Sequence, residues 1–181
     1  VFSKNIEMQE PTLYSLALGN EYIIICPTIG EQISIKASGS NFSGTYNIEG
    51  SPESELLKEL NKENYNVRLS LKSMSEELSK ADTAKLDSIR TSIIEKYTST
   101  KQYQEKITSD FINKNLGSLT TLIALYRTFD GFALFDYNQS LEMHKKVLQG
   151  LKQTLPNNQH TLTLENFIAE KENAQKENGT K

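Results

Sequence analysis

The spacing of hydrophobic and polar positions changes at Gly50-Ser51-Pro52. Before this point, short apolar runs are separated by turn residues, which is typical of β-strands. After it, apolar residues recur every three or four positions for about 125 residues, which is typical of amphipathic helices. The sequence therefore predicts an α+β fold, in which a small, sandwich-like antiparallel β domain precedes a mainly helical domain.

The N-terminal part contains five candidate strands, which are rich in β-branched or alternating apolar residues. They are residues 2–8, 13–18, 21–26, 32–36 and 45–48. The continuous apolar run from Tyr22 to Cys26 predicts burial on both faces, whereas Ile33 and Ile35 are assigned to one core-facing side. Residues 38–44 are predicted to form a polar loop. Short strands joined by tight turns favour antiparallel pairing in a small sandwich or a curled sheet.

The helical part is predicted to open with a long α-hairpin. Ser51 is placed as the N-cap and Pro52 as the first helical residue. The first helix carries an apolar stripe of Leu56, Leu60, Val67, Leu71, Met74 and Leu78. The second helix, with Asp82 as its predicted N-cap, carries a stripe of Leu86, Ile89, Ile93, Tyr97, Tyr103, Ile107 and Phe111. The stripe thins at residues 98–101, where a break or a solvent-facing stretch is expected.

Shorter helices are predicted to follow the hairpin. Gly117 ends the second long helix, Ser118 caps a short one, and Asp130-Gly131 forms a turn. Two more helices are expected at 138–155 and from 162 to about 174, before a solvated tail that begins near residue 171. The predicted domains are residues 1–50 and 51–175, with 176–181 as a polar tail or linker.

Composition and charge exclude several classes of function. The 181 residues carry a net charge of −3 with acids and bases mixed throughout, so no basic stripe supports nucleic-acid binding. No apolar run approaches the ~20 residues of a transmembrane helix. The chain begins at Val1 without a signal-peptide pattern, which is typical of a processed or trimmed protein, and export remains open.

The residues that could carry chemistry are few and isolated. Cys26 ends a predicted buried strand, where a thiol usually acts as a small hydrophobic side chain. His144 is predicted to be partly buried and hydrogen-bonded, whereas His160 is predicted to lie exposed in a loop. Neither histidine has a carboxylate or Cys at ligand spacing, and no glycine-rich phosphate loop occurs. We therefore predict no catalytic residue, no metal site and no cofactor.

An aromatic cluster surrounds the predicted Asp130-Gly131 turn. Its members are Phe129, Phe132, Phe135 and Tyr137. A loop dense in aromatic residues can anchor a partner or a neighbouring domain. Packing of the same side chains over the ends of the helices is the alternative.

Three segments of the chain resemble a known arrangement. Residues 46–51 lead into a helix that contains residues 53–57, residues 110–115 precede Ser118-Leu119, and a later helix ends at residues 155–160. This order resembles the N-terminal domain of unknown function that precedes a thioredoxin-fold domain in exported bacterial thiol-disulfide oxidoreductases of the TlpA/ResA kind. The chain departs from that pattern at Leu116, where the family commonly has Pro, and it contains no CxxC motif.

The resemblance implies a location in the periplasm or cell envelope, often with a lipid anchor, which would lie upstream of Val1. It implies a non-catalytic accessory role in positioning a partner or substrate, beside a downstream thioredoxin-like domain or another envelope protein. A free-standing exported module that binds a ligand or protein is the alternative. A third hypothesis, an enzyme acting through Cys26 or a carboxylate pair, requires a base near the thiol.

Overall fold

The computed structural model describes residues 3–38, 41–82 and 85–178, and it confirms the α+β fold class. The N-terminal part contains β1 (Tyr14–Leu18), β2 (Glu21–Ile25), β3 (Ser34–Lys36), the short helix α1 (Phe42–Thr45) and β4 (Asn47–Glu49). The remainder contains α2 (Pro52–Ser79), α3 (Leu86–Lys114), α4 (Thr120–Leu125), β5 (Thr128–Phe129), β6 (Phe132–Ala133), α5 (Tyr137–Thr154) and α6 (Gln159–Asn178).

The N-terminal strands form two separate two-stranded antiparallel sheets, β1-β2 and β3-β4. In their registers Leu16 lies opposite Ile23, and Ile35 lies opposite Ile48. Both sheets contribute to one apolar cluster, here called the N-terminal cluster. Its buried members are Ile23, Ile25, Phe42, Tyr46 and Ile48. The predicted strand over residues 2–8 is wrong for its described part, which has no strand, and the predicted loop at 38–44 contains the start of α1.

Strand β2 contributes side chains to two hydrophobic clusters, because consecutive side chains of a strand point to opposite faces. Ile23 and Ile25 belong to the N-terminal cluster, whereas Ile24 packs against the larger cluster of the helical part, here called the main cluster. Cys26 is buried in the main cluster. Burial on both faces is therefore confirmed from Ile23 onward, but Tyr22 is 60% exposed.

The junction between the two parts is as predicted. The Ser51 hydroxyl accepts a hydrogen bond from the Ser54 amide, and Pro52 is the first residue of α2. Gly50 has φ +89, and a Cβ there would lie 2.1 Å from the carbonyl oxygen of Gln32. Only glycine fits this close approach in a left-handed conformation.

Helices α2 and α3 pack as the predicted antiparallel hairpin. Residues 98–101 contain no break, since α3 is continuous and about 43 Å long at ~1.5 Å per residue. The alternative prediction of a solvent-facing stretch is correct, because Thr98, Ser99 and Lys101 are exposed. The Thr98 hydroxyl donates to the carbonyl of Ile94, and other hydroxyls in this stretch bond to the helix backbone in the same way. The N-cap of α3 is Lys85 rather than Asp82.

The interface of the hairpin is more polar than the apolar stripes predicted. Gln104 and Thr108 of α3 are buried, and Gln104 bonds to Asn64 of α2. Leu57 is fully buried, although the predicted stripe began at Leu56, and Leu78 is 40% exposed. Hydrogen bonds thus replace part of the apolar contact expected between the two helices.

The C-terminal helices pack over one end of the hairpin and complete the main cluster. Fully buried residues of this cluster include Leu119, Leu125, Val147, Leu151 and Leu164. The last helix, predicted to end near residue 174, continues as α6 through Asn178, and residues 179–181 of the predicted tail lie outside the described residues. The main cluster crosses the boundary predicted at Gly50, because Cys26 belongs to it and Leu13 and Ile24 pack against it.

Candidate functional site

A groove with a volume of about 960 Å³ lies between the N-terminal part and the helices. Its lining comes from β2, the middle of α2, Gln104 of α3 and the segment from α4 to the β5-β6 hairpin. Because these elements are distant in sequence, only the tertiary fold brings them together. Large concave surfaces of this kind commonly bind ligands.

Local structure fixes the orientation of each groove wall. Asn61, Asn64 and Arg68 are three and four residues apart on α2, so they share one helix face. On the opposite wall, the Arg127 amide donates to the carbonyl of Ala124 (3.3 Å). The carbonyl of Arg127 in turn accepts a hydrogen bond from the Leu134 amide (2.8 Å). Backbone bonds on both sides thus hold Arg127 between α4 and the hairpin.

The β5-β6 hairpin closes one end of the groove through a two-residue turn. Asp130 and Gly131 have φ values of 50 and 84, and left-handed residues at both positions are typical of a type I′ turn. The Tyr97 hydroxyl donates to Asp130 Oδ2 (3.1 Å) and ties the turn to α3. The predicted turn is confirmed.

Arg127 is a buried cation without a counter-charge. Its side chain is 7% exposed, and Nη2 donates to Asn61 Oδ1 at 3.2 Å. Nε and Nη1 have no acceptor among the described residues, and no carboxylate there forms an ion pair with the guanidinium. Burial lowers the pKa of Arg127 to about 10, which still leaves the group charged at neutral pH.

Amide side chains surround the guanidinium. Asn61 Nδ2 donates to the hydroxyl of Tyr46 (3.2 Å), and Gln104 Nε2 donates to Asn64 Oδ1 (3.1 Å). Gln104 is 3% exposed, and its Oε1 has no donor in the described part of the chain. We call Asn61, Asn64, Gln104 and Arg127 the polar floor of the groove. Two donors of Arg127 and one acceptor of Gln104 have no partner among the described residues, and all three atoms are covered.

The acids that line the groove already have partners. Glu21 Oε2 accepts from the amide (2.6 Å) and the hydroxyl (2.8 Å) of Ser43, and these bonds, the backbone one first, lower the pKa of Glu21. Asp130 accepts from Tyr97 as described above. With Arg68, Lys72 and Arg127 against Glu21 and Asp130, the groove has three cations and two acids, although the whole chain has a net charge of −3.

Apolar and aromatic side chains form the upper walls. Tyr22 is 60% exposed and Tyr126 is 53% exposed, and both line the groove together with Leu71 and Ile123. Amphipathic rings above a polar floor suit a ligand that has both an apolar body and a polar end.

The structure separates the four aromatic residues predicted as a partner contact. Phe129 is 3% exposed and packs against Tyr97, with ring centroids 5.0 Å apart. Tyr137 is buried against Phe167 (5.4 Å), and Phe135 is half-buried. Phe132 is 76% exposed at the tip of the hairpin, next to the groove residue Gly131. Of the four rings, that of Phe132 alone is exposed for contact with a partner.

Cys26 lies in the main cluster with a thiol shielded from solvent. It is 1% exposed, and burial raises the pKa of its thiol to about 12. The Cys26 amide donates to the Ser54 hydroxyl (3.0 Å), which links β2 to the start of α2. A thiol in this environment is a poor nucleophile at neutral pH.

Both histidines make internal hydrogen bonds. His144 is 2% exposed, and its Nδ1 donates to the carbonyl of Ser140 (2.9 Å). His160 was predicted to be exposed in a loop, but it lies in the first turn of α6 and is half-buried. Its Nε2 hydrogen-bonds to the Thr12 hydroxyl (3.0 Å). The predicted exposure is wrong because α6 begins earlier than Leu162 and packs against the N-terminal segment.

The described residues contain neither a metal-ligand cluster nor a membrane-spanning helix. No group of three or more His, Cys, Asp or Glu side chains within residues 3–38, 41–82 and 85–178 could hold a metal ion. Among the helices of these segments, none has the length and apolar character needed to span a bilayer.

None of the four residues of the polar floor was predicted from the sequence as a site residue. Its residues come from α2, α3 and the end of α4, and no local motif marks them. Arg127 lies beyond the C-cap of α4 at Tyr126, so helical periodicity gives no signal for it.

Comparison of the chain with protein-family models, with curated proteins and with solved structures found no match. A proposal for its function therefore depends on the geometry of the groove and on the sequence resemblance described above.

Proposed function

We propose that the chain is a non-catalytic binding module of an exported bacterial protein, in which the groove holds a partner or substrate. The observation that carries this proposal is a cavity of about 960 Å³ with unused hydrogen-bonding groups on its floor and exposed tyrosines on its rim. Buried polar groups normally have hydrogen-bond partners, so unpaired ones beside a groove are candidate contacts for a polar ligand.

The sequence resemblance supplies the setting. It places the module beside a thioredoxin-like domain of a periplasmic or cell-envelope protein, and it implies an optional lipid anchor upstream of Val1. Cys26 is buried and its thiol pKa is raised, which agrees with a module that binds but does not exchange thiols. Thiol exchange would then be performed by a separate CxxC domain. The module would then position the partner or substrate of that domain.

A free-standing exported binding module is the second candidate. The observation that favours it is that one chain supplies both walls and the floor of the groove. The reading frame downstream of Lys181 separates the two candidates. An encoded CxxC domain supports the accessory role, and a stop codon directly after Lys181 supports the free-standing module.

Site-specific photo-crosslinking tests whether the groove binds anything in its native setting. A benzophenone amino acid is placed at Tyr22 or Tyr126 in the groove, and at Ile29 as a control. Ile29 is 63% exposed and does not line the groove. Irradiation of whole cells of the source organism should give a discrete adduct from the two groove positions only.

A third crosslinker position, Phe132, tests whether the hairpin tip contacts the same partner. Equal labelling at Ile29, or the absence of any adduct from Tyr22 and Tyr126, would contradict binding in the groove. Benzophenone reacts with C–H bonds, so the result is independent of the charge of the ligand.

A further inference from the structure

Arg127 is the polar side chain whose burial the fold explains least. Arginine is seldom fully buried unless it is paired, because removal of a cation from water is costly. Here a 7% exposed guanidinium has one neutral partner, Asn61, and lines the groove. A cation in such a position can be balanced by a bound anion.

We propose that the groove binds a ligand with one carboxylate group on an apolar body, and that the guanidinium of Arg127 donates hydrogen bonds to this carboxylate. The inference rests on the proposed binding function and names the chemical class of the ligand. Nε and Nη1 are covered in the free protein, so binding of the carboxylate requires the guanidinium to turn toward the groove.

The charge balance favours a monoanion over a phosphate. Arg68 interacts with Glu21, and Lys72 forms an exposed pair with Glu76 (3.9 Å), which leaves Arg127 as the one buried cation of the lining. Phosphate sites usually combine several cations with glycine-rich loops or helix N-termini. Arg68 and Lys72 of the lining are exposed, so one buried guanidinium beside tyrosines and aliphatic side chains matches a carboxylate attached to an apolar group.

One feature of the groove fits an acidic peptide in particular. Among the described strands β2 pairs with β1 alone, and residues 21–24 of β2 line the groove. A strand edge without a partner strand can pair with an extended peptide. A small free carboxylic acid would use the guanidinium alone, so the two sources of the carboxylate can be distinguished.

Nitrogen-15 NMR of the arginine side chains tests the proposal directly. The sequence has three arginines, Arg68, Arg90 and Arg127, so three Nε–Hε signals are expected and can be assigned by single Arg→Lys substitutions. The probes are hexanoate, hexan-1-ol, inorganic phosphate, and a short acetylated valine-rich peptide amide that contains either Glu or Gln at its centre.

We expect hexanoate or the Glu peptide to shift the Arg127 signal to lower field and to saturate. The neutral counterparts should bind at least about tenfold more weakly, since hydrogen bonds to a charged group are lost. Arg127→Gln should lose at least about tenfold in affinity for the acidic probe, whereas Arg90→Gln, at an exposed site, should not. Binding of the Glu peptide alone identifies a peptide source, and binding of hexanoate alone identifies a small acid.

Three results would overturn the proposal: no acidic probe shifts the Arg127 signal, phosphate shifts it as strongly, or Arg127→Gln retains full affinity. The shift in the wild-type protein does not depend on the folding of any variant. If crosslinks form in the groove but the Arg127 signal never moves, the binding function stands and the carboxylate assignment fails. If neither occurs, both fail.

Discussion

Asn61 Oδ1 accepts a hydrogen bond of 3.2 Å from Nη2 of Arg127 and joins the middle of α2 to the end of α4, 66 positions away in sequence. This neutral contact compensates only part of the lost hydration of the guanidinium. Burial lowers the Arg127 pKa to about 10, which corresponds to roughly 3 kcal/mol against the charged form.

Replacement of Arg127 by Met should therefore stabilise the unliganded protein. We expect the free energy of unfolding to rise by about 1 kcal/mol, because removal of the buried charge outweighs the loss of the bond to Asn61. Urea unfolding monitored by circular dichroism measures this change. Arg90→Met is the control and should change stability by less than about 0.5 kcal/mol, since the Arg90 side chain is 59% exposed. A loss of more than about 1 kcal/mol in Arg127→Met would show that the cation is already well compensated.

Substitution of Gly50 tests the junction between the sheets and the helices. Gly50→Ala should destabilise the protein by about 3 kcal/mol or more, because the new Cβ would lie 2.1 Å from the Gln32 carbonyl oxygen. Gly30 has a similar φ of +86 but no atom within 4 Å of a Cβ, so Gly30→Ala should cost only about 1 kcal/mol. Equal losses in urea unfolding would exclude the close approach as the cause.

Burial of Cys26 should weaken the fold at alkaline pH. Burial, followed by the charges of Glu53 and Glu31, raises the pKa of this thiol from 9.0 to about 12. The unfolded state releases the proton first, so the contribution is fully present below pH 9.0 and is lost as pH rises toward 12. In this window the wild-type free energy of unfolding should fall more steeply than that of Cys26→Ala, by up to about 1.4 kcal/mol per pH unit.

Urea unfolding of the wild type and of Cys26→Ala between about pH 8 and about pH 11 measures this difference. Because both proteins share all other titratable groups, the effects of those groups cancel in the comparison. If the free energies of unfolding of the two proteins changed in parallel with pH, the thiol would ionise as readily in the folded state as in the unfolded state. Rapid modification of the native thiol at neutral pH would lead to the same conclusion.

Two phenylalanines of the β5-β6 hairpin should respond differently to truncation. Phe129→Ala should cost about 3–5 kcal/mol, since its ring is 3% exposed and packs against Tyr97. Phe132→Ala should change stability by less than about 0.5 kcal/mol, because that ring is 76% exposed. If Phe132→Ala nevertheless reduces the yield of the crosslink from Tyr126, the tip contacts the partner. A large loss of stability in Phe132→Ala would contradict its exposed position.

Features set by neighbouring residues could be predicted from the sequence. The start of α2 depends on Ser51, Pro52 and the next few amides, and it was correct. The Asp130-Gly131 turn depends on two residues that accept positive φ, and it was also correct. A break or a solvent-facing stretch was predicted where the apolar stripe of α3 thins, and the solvent-facing stretch is correct, since Thr98 and Ser99 are exposed. The helix does not break there, because its hydroxyls bond to the helix backbone.

The candidate site could not be predicted for a different reason. Asn61, Gln104 and Arg127 are ordinary polar residues in sequence, and their importance arises because the fold brings them to one groove, where Gln104 and Arg127 are buried. Periodicity locates apolar faces, so it does not detect an interface in which Gln104 and Thr108 occupy two of the three buried positions of α3. The aromatic residues that did stand out proved to be mostly part of the core.

The two-sided packing of β2 limits how this protein can be divided. Ile23 and Ile25 face one cluster while Ile24 faces the other, within five residues of chain. A gene fusion that transplanted the helices alone would leave the surface against Ile24 and Cys26 bare and prone to aggregation. The smallest transferable unit is therefore expected to include β2 and its hairpin partner along with the helices.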